Sequence, residues 1–277
     1  MGLKLIVTSV KDKASLKMKE ALLKLVDFKD SGDKFDEHPI LVADELALVT
    51  IKEELIYADH VDGLLGADLA IFASRHESTS KLPSLLVHVP GNWTSRADAG
   101  GRPRTLCRAK ASSLKEALIE LERMRRELGL EGWLCGVEAT HHGPFLERTP
   151  ALFVEVGSSE AEWLNEKAAE AAARAIIKAA SSNSRYKSLI GLGGPHYAPK
   201  FTKLLLETPW AVSYIAPKYV LEELDAELIM QAVVKSEEVI EGAVLDWKGI
   251  RGDLRPKLLE ELRKLNIKAW RDEELLR

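Results

Sequence analysis

Seven consecutive residues, Glu138-Ala139-Thr140-His141-His142-Gly143-Pro144, bring one carboxylate and two imidazoles to a single point in the chain. An imidazole takes or gives a proton near neutral pH, and both side-chain types ligate divalent metals. The set therefore suits acid–base work on water or metal ligation. Related residues recur where other apolar runs stop: His76 after Leu69–Ala73, Asn92 after Leu85–Val89, Gly193-Gly194-Pro195-His196-Tyr197 after Ser188–Leu192, and Asp246 to Lys248 after Ala243–Leu245. Each segment alone also reads as a polar turn. Meeting along the carboxyl edge of one open sheet, where α/β proteins bind ligands, they would form a site.

Four histidines (76, 141, 142 and 196) lie in such segments. A hydrolytic zinc takes three protein ligands and leaves a position for water, so the count suffices, but the spacing matches no pattern such as His-Glu-x-x-His. A metal-free site, with a neutral imidazole as base and backbone amides for the oxyanion, is equally open. No Gly-x-Ser-x-Gly elbow occurs, and neither Cys107 nor Cys135 sits in a loop with a clear histidine partner, which leaves covalent Ser or Cys catalysis least supported. Gly191-Leu192-Gly193-Gly194, ahead of a basic helix, reads either as a phosphate cradle built on N–H groups or as a tight turn. Glu155, set in the apolar run 152–156, needs a partner to be buried, either an ion-pair mate or a substrate ammonium. His88, inside another apolar run, reads as a satisfied core histidine.

Placing these segments requires strands and helices in alternation. Apolar runs at 3–8, 69–73, 85–89, 133–137, 152–156, 188–192, 210–215 and 243–245 read as strands. Helices are expected over 14–26, over 114–128 behind a Ser113/Glu116 capping box, from Ser159 to about Ala180, and over 200–206, 226–235 and 254–265, the last with Asp253 as N-cap. The pattern implies one α/β domain over residues 1–277, a three-layer α/β/α arrangement with a largely parallel, mixed sheet. No apolar run reaches the ~18 residues of a membrane span. No cleavable leader is expected from the first residues, and two cysteines suit a reducing, cytoplasmic setting. Scarce Gln and Asn with 30% charged residues resembles a thermophile's composition.

Net charge is −4, but unevenly spread: residues 171–206 hold six bases and no acid, and residues 96–110 hold five bases against Asp98. Such asymmetry suits a polyanion-binding face, with Arg102, Arg104, Arg108, Lys200 and Lys203 as candidate phosphate contacts; two ordinary solvated surfaces are the alternative.

The ordered motifs Ser74-Arg75-His76-Glu77-Ser78, Val87-His88-Val89-Pro90-Gly91-Asn92, Glu138 to Pro144, Phe153-Val154-Glu155-Val156-Gly157-Ser158 and Gly193-Gly194-Pro195-His196-Tyr197-Ala198-Pro199 resemble the archaeal and plant type of D-aminoacyl-tRNA deacylase, from about Leu69 to Lys248. The resemblance implies a phosphorylase/hydrolase-like fold, hydrolysis of D-aminoacyl-tRNA and a zinc dependence, for which His141, His142 and His196 are candidate ligands. With it, His141 and His142 are assigned to water activation, and His196 with Gly193 and Gly194 to the oxyanion or the tRNA 3′ end. Glu138 or Glu155 is the candidate anchor for the substrate ammonium, and His76, Asn92 and Tyr197 are further substrate contacts. Trp93, after Gly91-Asn92, is where departure from the family is expected. tRNA is the expected partner, on a monomer without an obligatory protein partner. Two other readings stand: a zinc-dependent peptidase or amidohydrolase acting on small molecules, and a non-catalytic RNA-binding protein.

Overall fold

Strand β1 (Lys4–Ser9) is buried along its whole length in the computed structural model, which describes residues 2–276. Asp12 caps helix α1 (Lys13–Leu25), its carboxylate accepting from the Ser15 amide at 2.9 Å. Strands β2 (Lys29–Phe35), β3 (His38–Ala43) and β4 (Leu46–Ile51) follow, and β4 returns parallel to β1. The Lys-Asp-Ser-Gly-Asp-Lys stretch of β2 carries no apolar alternation and is not among the strands expected from sequence. Antiparallel pairing with β3 makes it a strand at the sheet edge, where charged residues suit an unpaired side.

The sheet is completed by β5 (Leu69–Glu77), β6 (Ser84–His88), β9 (Leu134–Val137) and β10 (Ala151–Ser158); between them lie the short pair β7 (Gly91–Asn92) and β8 (Thr105–Leu106) and helix α2 (Ala111–Glu127). Strand order is β2-β3-β4-β1-β5-β10-β6-β9. β10 runs parallel to β5 but antiparallel to β6, and β6 runs parallel to β9. Helix α3 (Glu160–Trp163) carries the expected Ser159/Glu162 capping box, and Asn165 then caps α4 (Glu166–Ser181).

A second, all-parallel sheet follows, in the order β12-β11-β13-β14. Its chain runs β11 (Lys187–Leu192), α5 (Pro199–Glu207), β12 (Trp210–Ala216), α6 (Ala226–Val234), β13 (Ile240–Leu245), α7 (Arg255–Lys264), β14 (Ala269–Arg271) and α8 (Asp272–Leu275).

One face of the large sheet (Ile6, Ile71, Val87, Val154) packs on α1, α2 and α4, and this apolar core continues into the second sheet through Leu189, Val212 and Val244. The other face (Val7, Phe72, Phe153) is covered by single 3-10 turns between Leu55 and Gly66 and by Phe145-Leu146. α2 touches both sheets, and its Lys115 ammonium donates to the Thr208 and Trp210 carbonyls at 2.5 and 2.7 Å. The expected Ser113 cap is not formed. α2 starts at Ala111, and the Glu238 carboxylate, distant in sequence, accepts from the Ala111 and Ser112 amides. Asp253 likewise does not cap α7; it pairs with Arg251 while Leu254 holds the N-cap position.

Candidate active site

Expected at a carboxyl edge, the site lies instead on the face of the large sheet away from its long helices. The reason is strand direction. β5 and β10 deliver His76 and Glu155 upward, while the oppositely running β6 and β9 deliver His88 and Glu138, so the strand ends meet over the middle of β10. Backbone bonds then tie the loop after β9 to the second sheet: the Ala139 amide donates to the His196 carbonyl at 2.8 Å, and the Thr140 amide to the Ile215 carbonyl at 3.0 Å.

Glu138 is the hub. Its Oε1 lies 3.0 Å from His196 Nε2 and 3.5 Å from His76 Nδ1, and its Oε2 lies 3.5 Å from His88 Nδ1. Glu155 is 3.4 Å from His76 Nδ1 and 3.9 Å from His142 Nε2. Rings 88, 141, 142 and 196 pack edge to face or tilted, with neighbouring centroids 4.3 to 4.8 Å apart. Five histidines and two glutamates thus share one largely buried cluster.

Their charges follow from the surroundings. Burial alone would raise the Glu138 carboxyl, but the facing imidazoles of His196, His88 and His141 hold it well below the usual range, so it is a carboxylate. Burial, and then His142 and His88, hold His141 well below the ordinary imidazole value. Burial and His88 bring His142 down to about 3. For His76, burial opposes the charged form, but Glu155 and Glu138 outweigh it and push the ring up to about 9. His141 and His142 each place Nδ1 against a carbonyl, Ala139 at 2.8 Å and Gly143 at 2.5 Å. The proton therefore sits on Nδ1, and Nε2 is left to accept a hydrogen bond or to act as base or ligand.

His88 corrects the sequence reading. Among the described residues its Nδ1 has no well-aligned hydrogen-bond partner, nor does either Glu138 oxygen. Its Nε2 lies 3.2 Å from His142 Nε2. With the His142 proton on Nδ1, His88 must donate through Nε2. Its Nδ1 lone pair then faces a carboxylate, a conflict that a cation among these atoms would relieve. Three sets of donor atoms lie within 4.8 Å of one another: His88/His141/His142, Glu138/His141/His196 and His76/Glu138/Glu155. The set named from sequence, His141/His142/His196, is therefore split, with His196 grouped with Glu138 and His88 taking its place beside the pair. The one signal available was position, since His88 ends its apolar run immediately before Val89-Pro90-Gly91-Asn92.

Tyr197 hydroxyl bonds to His76 Nε2 and donates to Ser78, both at 3.1 Å. Asn92 shapes a loop, its amide donating to the Gly100 and Arg102 carbonyls. Gly193 and Gly194 do not form an anion cradle. The Gly193 amide is taken by the Ala216 carbonyl at 2.8 Å, and the Asp246 carboxylate stands so close to Gly194 that an added Cβ would lie 2.8 Å from Oδ2. Glu138 and Glu155 are enclosed among histidines, which leaves neither as an open ammonium anchor. A cavity of 310 Å³ does open onto His141, between Asn92, Trp93, Tyr219, Val220 and Glu223. Tyr219, 59% exposed, bonds His196 Nδ1 at 2.9 Å. Sequence reasoning missed Tyr219 and Glu223, because the segment 217–225 shows neither periodicity nor a motif. Most predicted tRNA contacts are already paired within the chain: Arg104 with Asp225 at 2.7 Å, Arg108 with Glu237 at 2.6 Å, Lys203 with Glu207 at 3.7 Å, and Lys200 with Asp272. Arg102 instead lies over the Phe145 ring.

A buried carboxylate–imidazole cluster beside a cavity, on an α/β framework, is the arrangement that hydrolytic chemistry on a bound ligand calls for. A sequence profile of the D-aminoacyl-tRNA deacylases matches residues 65–270. The D-aminoacyl-tRNA deacylases of Pyrococcus furiosus and Thermococcus kodakarensis are each 38% identical over 98% of this chain and 100% of theirs. A crystal structure described as a conserved protein of unknown function superposes with a TM-score of 0.90 at 32% identity, covering 99% of this chain and 97% of that one. The chain belongs to the D-aminoacyl-tRNA deacylase family.

Proposed function

We propose that this protein hydrolyses the ester bond of D-aminoacyl-tRNA in the cytoplasm, releasing D-amino acid and tRNA and so clearing mischarged tRNA. The observation that carries the reading beyond kinship is the pair of neutral imidazoles, His141 and His142, beside a buried carboxylate, with the His141 Nε2 lone pair free and His141 lining the cavity. With no metal bound, His141 Nε2 accepts a proton as water attacks the ester carbonyl; the bond to the ribose oxygen breaks, and that oxygen takes the proton back. Glu138 balances the charge that develops on the imidazole. An aminoacyl ester is an activated substrate, so positioning accounts for much of the rate. Glu223, the one carboxylate lining the cavity among the described residues, receives the substrate ammonium in place of Glu138 or Glu155.

Zinc fits the donor set. His88, His141 and His142, or Glu138, His141 and His196, would hold it, with His141 Nε2 then a ligand in place of the base, and the unpartnered His88 Nδ1 and Glu138 oxygens support a cation there. Bound zinc supplies positive charge that acidifies water and polarises a carbonyl. The relatives give no support to the small-molecule peptidase alternative. The test is turnover of D- and L-aminoacyl-tRNA by purified protein, with metal analysis, before and after chelation. Hydrolysis of the D form alone is expected, with zinc present and activity lost on chelation. Equal turnover of both forms, or none, overturns the substrate reading; full activity after complete zinc removal overturns the metal.

A further inference from the structure

Charge pairing singles out one place on the basic loop. Arg96, Arg104 and Arg108 are each matched by a carboxylate of the chain, but Arg102 is not. Its guanidinium carbon lies 4.2 Å from the centroid of the Phe145 ring, and the Lys235 ammonium lies 5.3 Å from the same centroid. Among the described residues no carboxylate oxygen comes within 4.0 Å of either cation. Two like charges close to one ring repel each other, and the ring compensates only in part. An anion within reach of both would offset the repulsion.

Both cations are also fastened to the wall of the active-site cavity. Lys235 follows α6 and donates to the Leu106 carbonyl at 2.7 Å, and Leu106 pairs with Gly91 in the β7–β8 ladder. The Asn92 amide donates to the Arg102 carbonyl at 3.3 Å. Gly91 and Asn92 line the cavity that opens onto His141. A ligand whose reacting end occupies that cavity would pass its next charged groups over the other side of the same two-stranded wall.

We propose that Arg102 and Lys235, set against Phe145, form a binding subsite for a phosphodiester of the tRNA 3′ end. A guanidinium offers paired N–H donors to two phosphate oxygens, and the ammonium adds a point charge. The subsite rests on the D-aminoacyl-tRNA reading, so the experiment separates the two. Arg102→Ala, Lys235→Met and the double variant are compared with wild type on D-aminoacyl-tRNA and on a D-aminoacyl ester of adenosine, which has no phosphodiester. The ratio of kcat/KM on tRNA to that on the ester should fall about tenfold per variant, and the salt slope on tRNA should flatten by about one unit per lost contact. Lys235→Arg should keep the slope, and Arg104→Ala, whose charge is already paired, should not change it. Wild-type inactivity on both substrates would sink the function but not the subsite, because binding of a fluorescent CCA trinucleotide reads the latter without turnover. Failure of folded wild type to bind that trinucleotide more tightly than the double variant overturns the subsite, as does an unchanged ratio and slope in the double variant.

Discussion

Tyr219 and His142 meet the same cluster from different sides, and their substitutions should differ in size. His196 Nε2 faces Glu138 at 3.0 Å and so carries a proton; its Nδ1 must accept, which makes the Tyr219 hydroxyl the donor at 2.9 Å. Removing that hydroxyl in Tyr219→Phe frees the imidazole to turn or change tautomer, and kcat on a D-aminoacyl ester should fall about tenfold, as for other outer partners of a site. His142→Ala removes a lone pair from the cluster itself and should cost about 100-fold or more with the fold kept, checked by circular dichroism. Equal small losses in the two would mean that neither ring takes part in the chemistry. Glu223→Gln tests the ammonium anchor: KM for the D substrate should rise about tenfold, while an N-acetylated substrate, lacking the ammonium, should lose little. A uniform loss on both would make Glu223 a structural residue, consistent only with its bond to the Ser95 amide. At this scale the sequence was half legible. Glu138, His141, His142 and His196 stood out because they were dense in polar, Gly-containing segments. His88 was hidden by its apolar neighbours, and Tyr219 and Glu223 by a segment whose only organisation is tertiary.

Among elements, the turn at Gly143 decides where the loop of residues 93–104 rests. The Gly143 amide donates to the Ala99 carbonyl at 3.0 Å, and a Cβ added there would come within 2.3 Å of Gly101 N and 2.4 Å of Ile56 O, both backbone atoms that cannot swing away. Gly143→Ala should therefore lift the loop, lower stability by about 1–3 kcal/mol in denaturant titration, and reduce turnover by more than the stability change explains. Unchanged activity would show that the loop does not set the cavity. The alternation of apolar runs with helices made the element types readable. Strand direction was not readable from it: the antiparallel pairing of β6 with β10, which moves the site from an edge to a face, depends on contacts between segments over sixty residues apart. Helix starts failed for a similar reason, since the Glu238 carboxylate replaced the local Ser113 cap at the head of α2.

For the molecule as a whole, the two sheets share one apolar core, and α2 lies against both. Melting should therefore be a single transition in calorimetry, with equal calorimetric and van't Hoff enthalpies. Lys115→Met, which strips a donor from two carbonyls at the end of α5 and the start of β12, should lower the midpoint by a few degrees, about 1–3 kcal/mol in stability. Two separated transitions would show that the second sheet melts by itself. The net charge of −4 suggested that a basic face must offset an acidic remainder, and in the folded chain much of that basic charge is spent on internal pairs.

The seam between the sheets also bears on biosynthesis. Glu138, His141 and His142 leave the ribosome before His196, Tyr219 and Glu223 are made, and the loop after β9 has its backbone partners, the His196 and Ile215 carbonyls, in the later half. The carbonyls that hold the His141 and His142 rings are local, but the loop that carries them is fixed to the rest of the fold only once the second sheet has been translated and docked. The seven residues that carry the carboxylate and both imidazoles thus take their final place late, after the chain has reached at least Ile215.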